Sequence, residues 1–484
     1  MIPDSFPAPV YAETVLAPNF EDAKKYFLGF LLDVHFAHTR MLGEQAIITR
    51  QEEYILLSAL DGLDQEAVVQ ARYDGTCEDL FFYIQDLLAE AVGSDTAGKM
   101  HTALSRNDIA ITLYRMMVRR ELLTLGGAIS EVRSVLLDFA SRNLQTVMPA
   151  HTHTQPAQPT TLAHYMLAAA EVSARDITRV KAAFAHVNLS PLGACAITTT
   201  GFPIDRDLTA RRLGFEGLAE NSYAAIAAID YMTESASAVA VSMVNLGKLV
   251  QDLLLWSTRE FGFLRLSDAF VQSSSIMPQK RNPVALEHTR ILASRALGEA
   301  QAVLTTAHNT PFGDINDSED DLQPLVNTMF SDAVRSMRLL AGALRTAEVD
   351  CDLLALRAGQ NFITVTELAD TLVRREGMSF REAHRLVART VTVCGSKDDA
   401  ATIAATILSL QPSLRLTLKE IEGALDPHHF VHVRTVQGGP ATATASAALS
   451  RALALQEEIE GWISMKAGML DGVRAELRTG SSAA

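Results

Sequence analysis

The chain has 484 residues with a net charge of -15 and a pI near 5.4. Such an acidic balance argues against nucleic acid or an anionic membrane as a partner, because both require a basic face. Hydrophobic residues make up 48% and aromatic residues only 6%, which favours helix-on-helix packing over a sheet sandwich. The length predicts roughly two to four domains, and we expect three.

The cysteines and the N-terminus indicate where the protein works. Cys77, Cys195, Cys351 and Cys394 lie far apart and form no CxxC pair, so neither a disulfide framework nor a structural zinc site is predicted. The N-terminus lacks a basic segment followed by an apolar one, and no run of about 18 apolar residues occurs. We therefore expect a cytoplasmic location and no membrane insertion.

Long proline-free stretches predict the central architecture, because an interior proline costs a helix about 3 kcal/mol. Within one such stretch, Tyr223–Thr258 carries small and apolar residues on more than one face, which predicts a single helix surrounded by other helices. Its length of about 50 Å exceeds the diameter of a small domain. Bundles from several copies of the chain are therefore expected to combine.

Shorter helical patterns precede and follow this central part. Gly75 and Gly93 interrupt the first hundred residues, and glycines and prolines again separate the patterns after Thr366. We therefore predict an all-α protein with helical domains at 1–112, 113–366 and 367–484.

A serine-rich polar segment, Gln272–Pro283 (QSSSIMPQKRNP), separates two long helical patterns. Its proline and polar residues cannot continue the apolar pattern, so we predict a loop. Loops on rigid scaffolds commonly carry chemistry. A solvated connector is the ordinary interpretation of a serine-rich stretch, but the specific residue order favours a functional one.

A second polar segment, Met148–Pro159 (MPAHTHTQPAQP), places Thr152 and His153 between prolines, just before a helix predicted near Thr160. No carboxylate or cysteine completes a metal site at ligand spacing. A single loop histidine is the simpler alternative to a functional one.

The third polar segment, His101–Thr112 (HTALSRNDIAIT), begins a long helical pattern. Ser105, Arg106 and Asn107 stand at the helix start, where the planar guanidinium and the backbone N–H groups suit a carboxylate. By themselves these residues would indicate only a capped helix.

Together the three segments resemble the fumarase/aspartase superfamily, and specifically its argininosuccinate lyase branch. Gln272–Pro283 resembles the signature GSSxMPxKxNP, with Ser273 in place of the glycine; HTALSRND resembles HTxRSRND, and PAHTHTQPAQP resembles PGYTHLQxAQP. The resemblance implies three helical domains and a homotetramer whose active sites are each shared by three subunits. It also implies reversible elimination of an amine from an N-succinyl substrate to give fumarate, without a cofactor or metal.

The resemblance also implies roles for single residues. Ser274 matches the general base, and Lys280 matches a residue that binds the carboxylate whose charge grows in the transition state. His153 is a hypothesis for the acid, with Glu287 orienting its ring. The residues matched to substrate binding are Ser105, Arg106, Asn107, Thr152, Ser275, Met277 and Asn282.

The half of the site that would hold the amine departs from the branch. Asp314, Glu319 and Leu322 stand where tyrosine, glutamine and lysine are usual, Phe81 replaces a histidine, and an N-terminal Gly-Gly-Arg-Phe segment is missing. An acidic pocket without lysine favours a cationic amine or diamine as leaving group. The pattern most resembles lyases of ethylenediamine-N,N'-disuccinate (EDDS). Argininosuccinate is the alternative substrate, and a crystallin-like structural protein is the alternative of another class.

Overall fold

The computed structural model describes residues 6–479 and confirms the predicted all-α class. The N-terminal helices are α1 (Pro9–Tyr11), continued by a π-helical turn (Ala12–Leu16), α2 (Ala17–Tyr26), α3 (Leu28–Glu44), α4 (Arg50–Asp61), α5 (Gln65–Gln70), α6 (Leu80–Val92) and α7 (Ser94–Lys99). The central helices are α8 (Arg106–Arg142), α9 (Leu162–Val187), α10 (Arg206–Arg212), α11 (Ser222–Ala227), α12 (Asp230–Trp256), α13 (Val284–Ala307) and α14 (Gln323–Arg345).

Shorter helices and one long helix complete the described chain. They are α15 (Cys351–Ala358), α16 (Val365–Glu376), α17 (Phe380–Cys394), α18 (Ala400–Leu410), α19 (Leu418–Ala424), α20 (Pro427–His432) and α21 (Thr442–Thr479). Single 3-10 turns occur at Asp268–Phe270, Asn316–Ser318 and Asp320–Leu322.

The strands are short and form four separate pairs within the described residues. Three pairs are antiparallel: β1 (Val147–Thr152) with β2 (Gln155–Thr161), β5 (Leu264–Arg265) with β8 (Glu348–Val349), and β6 (Gln272–Ser273) with β7 (Arg281–Asn282). The fourth pair is parallel, β3 (Leu189–Ser190) with β4 (Gly217–Leu218).

Helices α8, α9, α12, α13 and α14 pack side by side as a bundle. The start of α12 lies at the start of α8, where the Arg115 guanidinium stacks on the Tyr231 ring. Their other ends also coincide, because α9 connects them. The N–H of Leu162, the first residue of α9, donates to the carbonyl of Thr146 just after α8, and the Tyr165 hydroxyl of α9 donates to Asp252 near the end of α12 at 2.7 Å. We call the end at which α8 begins the near end, and the end at which it terminates the far end.

The remaining bundle helices follow the same alternation. Arg290, early in α13, donates to Gln251 late in α12, so α13 starts at the far end and terminates at the near end. Arg345, the last residue of α14, pairs with Glu131 of α8, so α14 runs from the near end towards the far end. The direction of each helix therefore decides which polar segment lies at which end.

Two large hydrophobic cores and two small clusters hold the described elements. The larger core joins N-terminal residues such as Phe20 to the bundle and to Leu477 of α21. The smaller core is formed by α16–α19, with Leu372, Ile403 and Ile421 fully buried. The predicted domain borders near 112 and 366 stay a prediction.

One local prediction is wrong in detail. The single helix expected over Tyr223–Thr258 is two helices, because Ala228 adopts an extended conformation between α11 and α12. The segment around His153 forms a β-hairpin that the sequence did not predict, with His153 and Thr154 at positive φ (51° and 62°) in its two-residue turn. Such positive φ values suit hairpin turns that follow the strand twist.

Within the described residues, α12 is the one helix long and apolar enough to cross a membrane by length and composition, with a mean hydropathy of 1.4. It packs against α9, α13 and α14. The core helix of a bundle meets the same criterion, so this feature is weak support for a membrane span.

Candidate active site

A cavity of about 310 Å³ opens at the near end of the bundle, beside the start of α8. Ser105 caps this helix, and Arg106 and Asn107 in its first turn line the cavity. Carboxylates dominate the polar part of the wall around them. The acidic lining residues are Glu78, Asp79, Asp314, Glu319, Asp320 and Asp321.

Arg106 is held by carboxylates of the same chain. Its Nη1 lies 2.9 Å from Glu78 and 3.0 Å from Asp79, and its guanidinium lies over the ring of Phe82. Burial works to lower the pKa of Arg106, but the hydrogen bonds to Asp79 and Glu78 outweigh it and raise that pKa. The guanidinium is therefore a fixed positive charge in an otherwise acidic wall.

Asn107 connects the helix start to the segment that departs from the family pattern. Its side-chain amide donates to Asp314 at 2.8 Å and to the carbonyl of Ala196 at 3.1 Å. Glu319 lies beside Asp314, and burial, followed by the hydrogen bond and charge of Asp314, raises the pKa of Glu319 well above its usual range. With its pKa raised to about 8, the Glu319 carboxyl group is mostly protonated at neutral pH.

Leu322 and Phe81, the other two departures, are buried. Phe81 lines the cavity and packs against the rings of His101 and His35. A histidine at position 81 would present a polar edge here, whereas phenylalanine leaves the wall apolar.

The serine-rich segment forms a short hairpin at the far end, closed by the β6–β7 pair. The Ser274 hydroxyl oxygen accepts the backbone N–H of Met277 at 3.1 Å and that of Ile276 at 3.4 Å. Ser275 and Lys280 are exposed, Asn282 is partly buried, and Met277 is 38% exposed. Two backbone donors directed at Ser274 Oγ are the arrangement that stabilises negative charge on that oxygen.

Thr152 and His153 are exposed at the tip of the β1–β2 hairpin, which also lies at the far end. No hydrogen bond or ion pair joins His153 to Glu287 within residues 6–479; both side chains are exposed. The expected orientation of His153 by Glu287 is thus not made within one chain.

The structure does not bring the three polar segments together in a single chain. Helix α8 has 37 residues, so its two ends are separated by about 54 Å at 1.5 Å per residue. Arg106 and Asn107 lie at the near end, while Ser274 and His153 lie at the far end. A small substrate that contacts all of them requires more than one copy of the chain.

The acidic wall includes residues that the sequence did not single out as site residues. Asp320 accepts the Tyr114 hydroxyl at 2.5 Å, and Asp79 also caps α6. The acidic run DSEDD (317–321) could have indicated Asp320 from the sequence. Asp79 reaches the site because α6 approaches α8, and no sequence pattern indicates that tertiary contact. In the described part of the chain, no group of three or more His, Cys, Asp or Glu residues could hold a metal ion.

Comparisons with known proteins agree with this architecture. The Lyase family matches residues 59–298, and the Argininosuccinate lyase C-terminal family matches residues 362–432. Argininosuccinate lyase 2 of Agrobacterium fabrum is 41% identical over 457 residues, covering 90% of this chain and 88% of that protein. Argininosuccinate lyase of Methanoculleus marisnigri is 39% identical over 454 residues, covering 93% of this chain and 92% of that protein.

Among solved structures, EDDS lyase in complex with formate is 31% identical and covers 97% of this chain and 96% of that chain, with a TM-score of 0.85. An EDDS lyase variant with bound fumarate gives the same values. The predicted resemblance is confirmed: this chain belongs to the argininosuccinate lyase branch of the fumarase/aspartase superfamily and is a carbon–nitrogen lyase.

Proposed function

We propose that the protein eliminates an amine from an N-succinyl substrate and releases fumarate, without a cofactor. Ser274 Oγ, after losing its own hydroxyl proton, takes the proton from the carbon next to a carboxylate and becomes a neutral hydroxyl group again. The C–N bond then breaks, its electron pair leaves with the nitrogen, and a C=C bond forms. The leaving nitrogen gains a proton, for which His153 is the candidate donor, and the reverse reaction adds an amine to fumarate.

The surroundings of Ser274 support its role as base. An ordinary serine hydroxyl is a poor base, and it requires donors that stabilise the charged oxygen. The N–H groups of Ile276 and Met277 already point at Oγ. Ile276 is 83% exposed, so the tip of this hairpin has apolar surface available for closing over a bound substrate.

Lys280 and Asn282 belong to the same hairpin and are proposed to bind the carboxylate that gains charge. Preorganised donors of this kind stabilise the transition state more than the ground state. Ser275, Met277 and Thr152 are proposed to contact the succinyl group. Ser105, Arg106 and Asn107 would reach it from the near end of another subunit.

The near-end cavity supports a cationic leaving group. Six carboxyl groups and one guanidinium line it, and an ammonium group would pair with Asp314 and Glu319 without meeting a lysine. We therefore propose a diamine-derived leaving group, as in EDDS. Argininosuccinate is the second candidate, favoured by the 41% identity to an argininosuccinate lyase.

A homotetramer with shared sites would bring the two bundle ends together. Helix α12 presents an exposed stripe with alternating spacings of four and three residues: Ser237, Val241, Val244, Lys248, Gln251 and Leu255. Val241, Val244 and Leu255 are 38%, 47% and 38% exposed, and Ile291 on α13 is 53% exposed. An exposed stripe with heptad-like spacing, half of it apolar, suits packing against helices from further copies of the chain. Antiparallel packing of copies would set one chain's Ser274 against another chain's Arg106.

The four cysteines are free thiols, which supports the proposal that the enzyme works in the cytoplasm. Its proposed partners are the small-molecule N-succinyl amine and fumarate.

Fumarate release, followed by ultraviolet absorbance, tests the substrate assignment. The purified enzyme is offered EDDS, its mono-succinyl counterpart N-(2-aminoethyl)aspartate, and argininosuccinate, with Ser274→Ala as control. We expect a higher kcat/KM for the diamine compounds. Release from argininosuccinate alone would overturn the diamine assignment, and release from none of the three would overturn the proposed substrate class.

A further inference from the structure

Asp108 follows Asn107 on α8, and its side chain is fully buried. One carboxylate oxygen accepts the N–H of Ser105 at 3.0 Å. The other accepts the N–H of Gly193 at 2.8 Å and that of Cys195 at 2.9 Å. A single carboxylate thereby joins the start of α8 to a loop 85 residues later in the chain.

This loop, residues 193–200, has a strained backbone. Cys195 and Thr199 adopt positive φ values of 53° and 62°, which are unfavourable for residues with a Cβ, and most of all for a β-branched threonine. Such a conformation persists only where the surrounding structure holds it. Gly193 has a φ of +86°, and a Cβ there would lie 2.7 Å from Cγ of Arg206.

The loop is in direct contact with the proposed substrate site. The carbonyl of Ala196 accepts a hydrogen bond from the Asn107 amide at 3.1 Å, and the same amide nitrogen donates to Asp314. The Cys195 thiol donates to the carbonyl of Ala103, just before the helix start. The position of the loop therefore fixes the orientation of the Asn107 side chain.

We propose that Asp108 is a positioning residue for the lyase reaction. By accepting the N–H groups of Gly193 and Cys195, it holds the strained loop against Asn107 and keeps that amide ready for a substrate carboxylate. This inference rests on the proposed function, because it requires Asn107 to bind substrate.

The hydrogen bonds by which Asp108 joins α8 to the loop depend on pH. Burial raises the pKa of Asp108 to about 6, although the N–H groups of Ser105, Gly193 and Cys195 work to lower it. Arg206 on α10 and the Cys195 thiol are the titratable groups whose charges interact with it. Burial and Asp108 raise the pKa of Cys195 to about 11, so this thiol stays neutral near pH 6.

Protonation of Asp108 has opposite effects on binding and on stability. A neutral carboxyl group is a weaker acceptor for three N–H donors, so substrate affinity falls as the pH drops through about 6. The pKa of Asp108 in the folded protein lies above its value in the unfolded chain. As the pH falls, folded Asp108 takes up a proton first, so its contribution to folding stability increases. If Asp108 had only a structural role, substrate affinity would not fall over the pH range in which its contribution to folding stability rises.

The test compares wild type, Asp108→Asn and the control Glu420→Gln between about pH 5 and pH 8. Glu420 forms the same type of capping box at the start of α19, on the surface and away from the site. We expect Asp108→Asn to raise KM by about tenfold or more with a smaller change in kcat. Its KM should not change near pH 6, whereas the wild-type KM should rise below it. Glu420→Gln should keep the wild-type KM at every pH.

An unchanged KM in folded Asp108→Asn would overturn the proposal. If that variant does not fold, the wild type decides, and a KM that is flat through pH 6 overturns it. Amide hydrogen exchange separates this proposal from the proposed function. If the wild type releases no fumarate at all, faster exchange of the Gly193 and Cys195 amides in Asp108→Asn still supports the role of Asp108 in holding the loop. Unchanged exchange of these amides overturns that role.

Discussion

Mixing two inactive variants should restore activity if each site is built from different subunits. Ser274→Ala removes the proposed base at the far end, and Asn107→Ala removes a proposed binding residue at the near end. The ends are separated by about 54 Å within one chain, so the proposed shared site would take these two residues from different subunits. In a random equal mixture of the two variants, a given site has an intact Ser274 with probability one half and, independently, an intact Asn107 with probability one half. About a quarter of the sites are then fully intact.

The assay is fumarate release by co-expressed, differently tagged variants purified as mixed oligomers. We expect about a quarter of wild-type activity from the mixture and almost none from either variant alone. A mixture of Ser274→Ala with Lys280→Met is the matched control, because both residues lie on one hairpin and every site then retains a defect. Absence of recovery in mixed Ser274→Ala and Asn107→Ala oligomers would refute the shared site.

Three further predictions concern charge, packing and catalysis. Burial and Asp314 raise the pKa of Glu319, so the folded state loses stability as the pH rises through that pKa. Glu319→Gln cannot ionise and should be more stable than the wild type at alkaline pH, by about 1–2 kcal/mol in melting experiments. Arg133 is buried and donates to Gln456, so Arg133→Ala should lower the free energy of unfolding by about 3 kcal/mol or more in urea titrations. Lys280→Met should reduce kcat about a hundredfold to a thousandfold, with an unchanged melting temperature. An effect on KM alone would contradict its role in the transition state.

Much of the fold could be predicted from sequence because proline spacing and apolar periodicity are local signals. The long helices α8, α9 and α13 fall within the proline-free stretches. The break between α11 and α12 could not be predicted, since Ala228 and its neighbours are ordinary helix formers and only tertiary packing separates the two helices. The hairpin around His153 was not predicted; its prolines are tolerated within the strands because β1 and β2 form an isolated pair, in which each strand has a free edge.

The composition of the site was predictable in part. The order of residues around Ser274, His153 and Arg106 identified the family, and the comparisons confirm that identification. Their distribution over two bundle ends follows from helix direction, which motif spacing does not encode. Asp108 lies in the segment expected to begin a helix, but its hydrogen bonds to Gly193 and Cys195 are long-range contacts that a single sequence does not indicate.

The reverse reaction tests the central claim most directly. Fumarate is incubated with ethylenediamine or with arginine, and the loss of its ultraviolet absorbance is followed for the wild type and for Ser274→Ala. We predict that the wild type consumes fumarate, faster with ethylenediamine, and that Ser274→Ala does not. Unchanged fumarate with both amines, in a folded oligomeric enzyme, would contradict the claim that this protein joins and separates fumarate and a cationic amine.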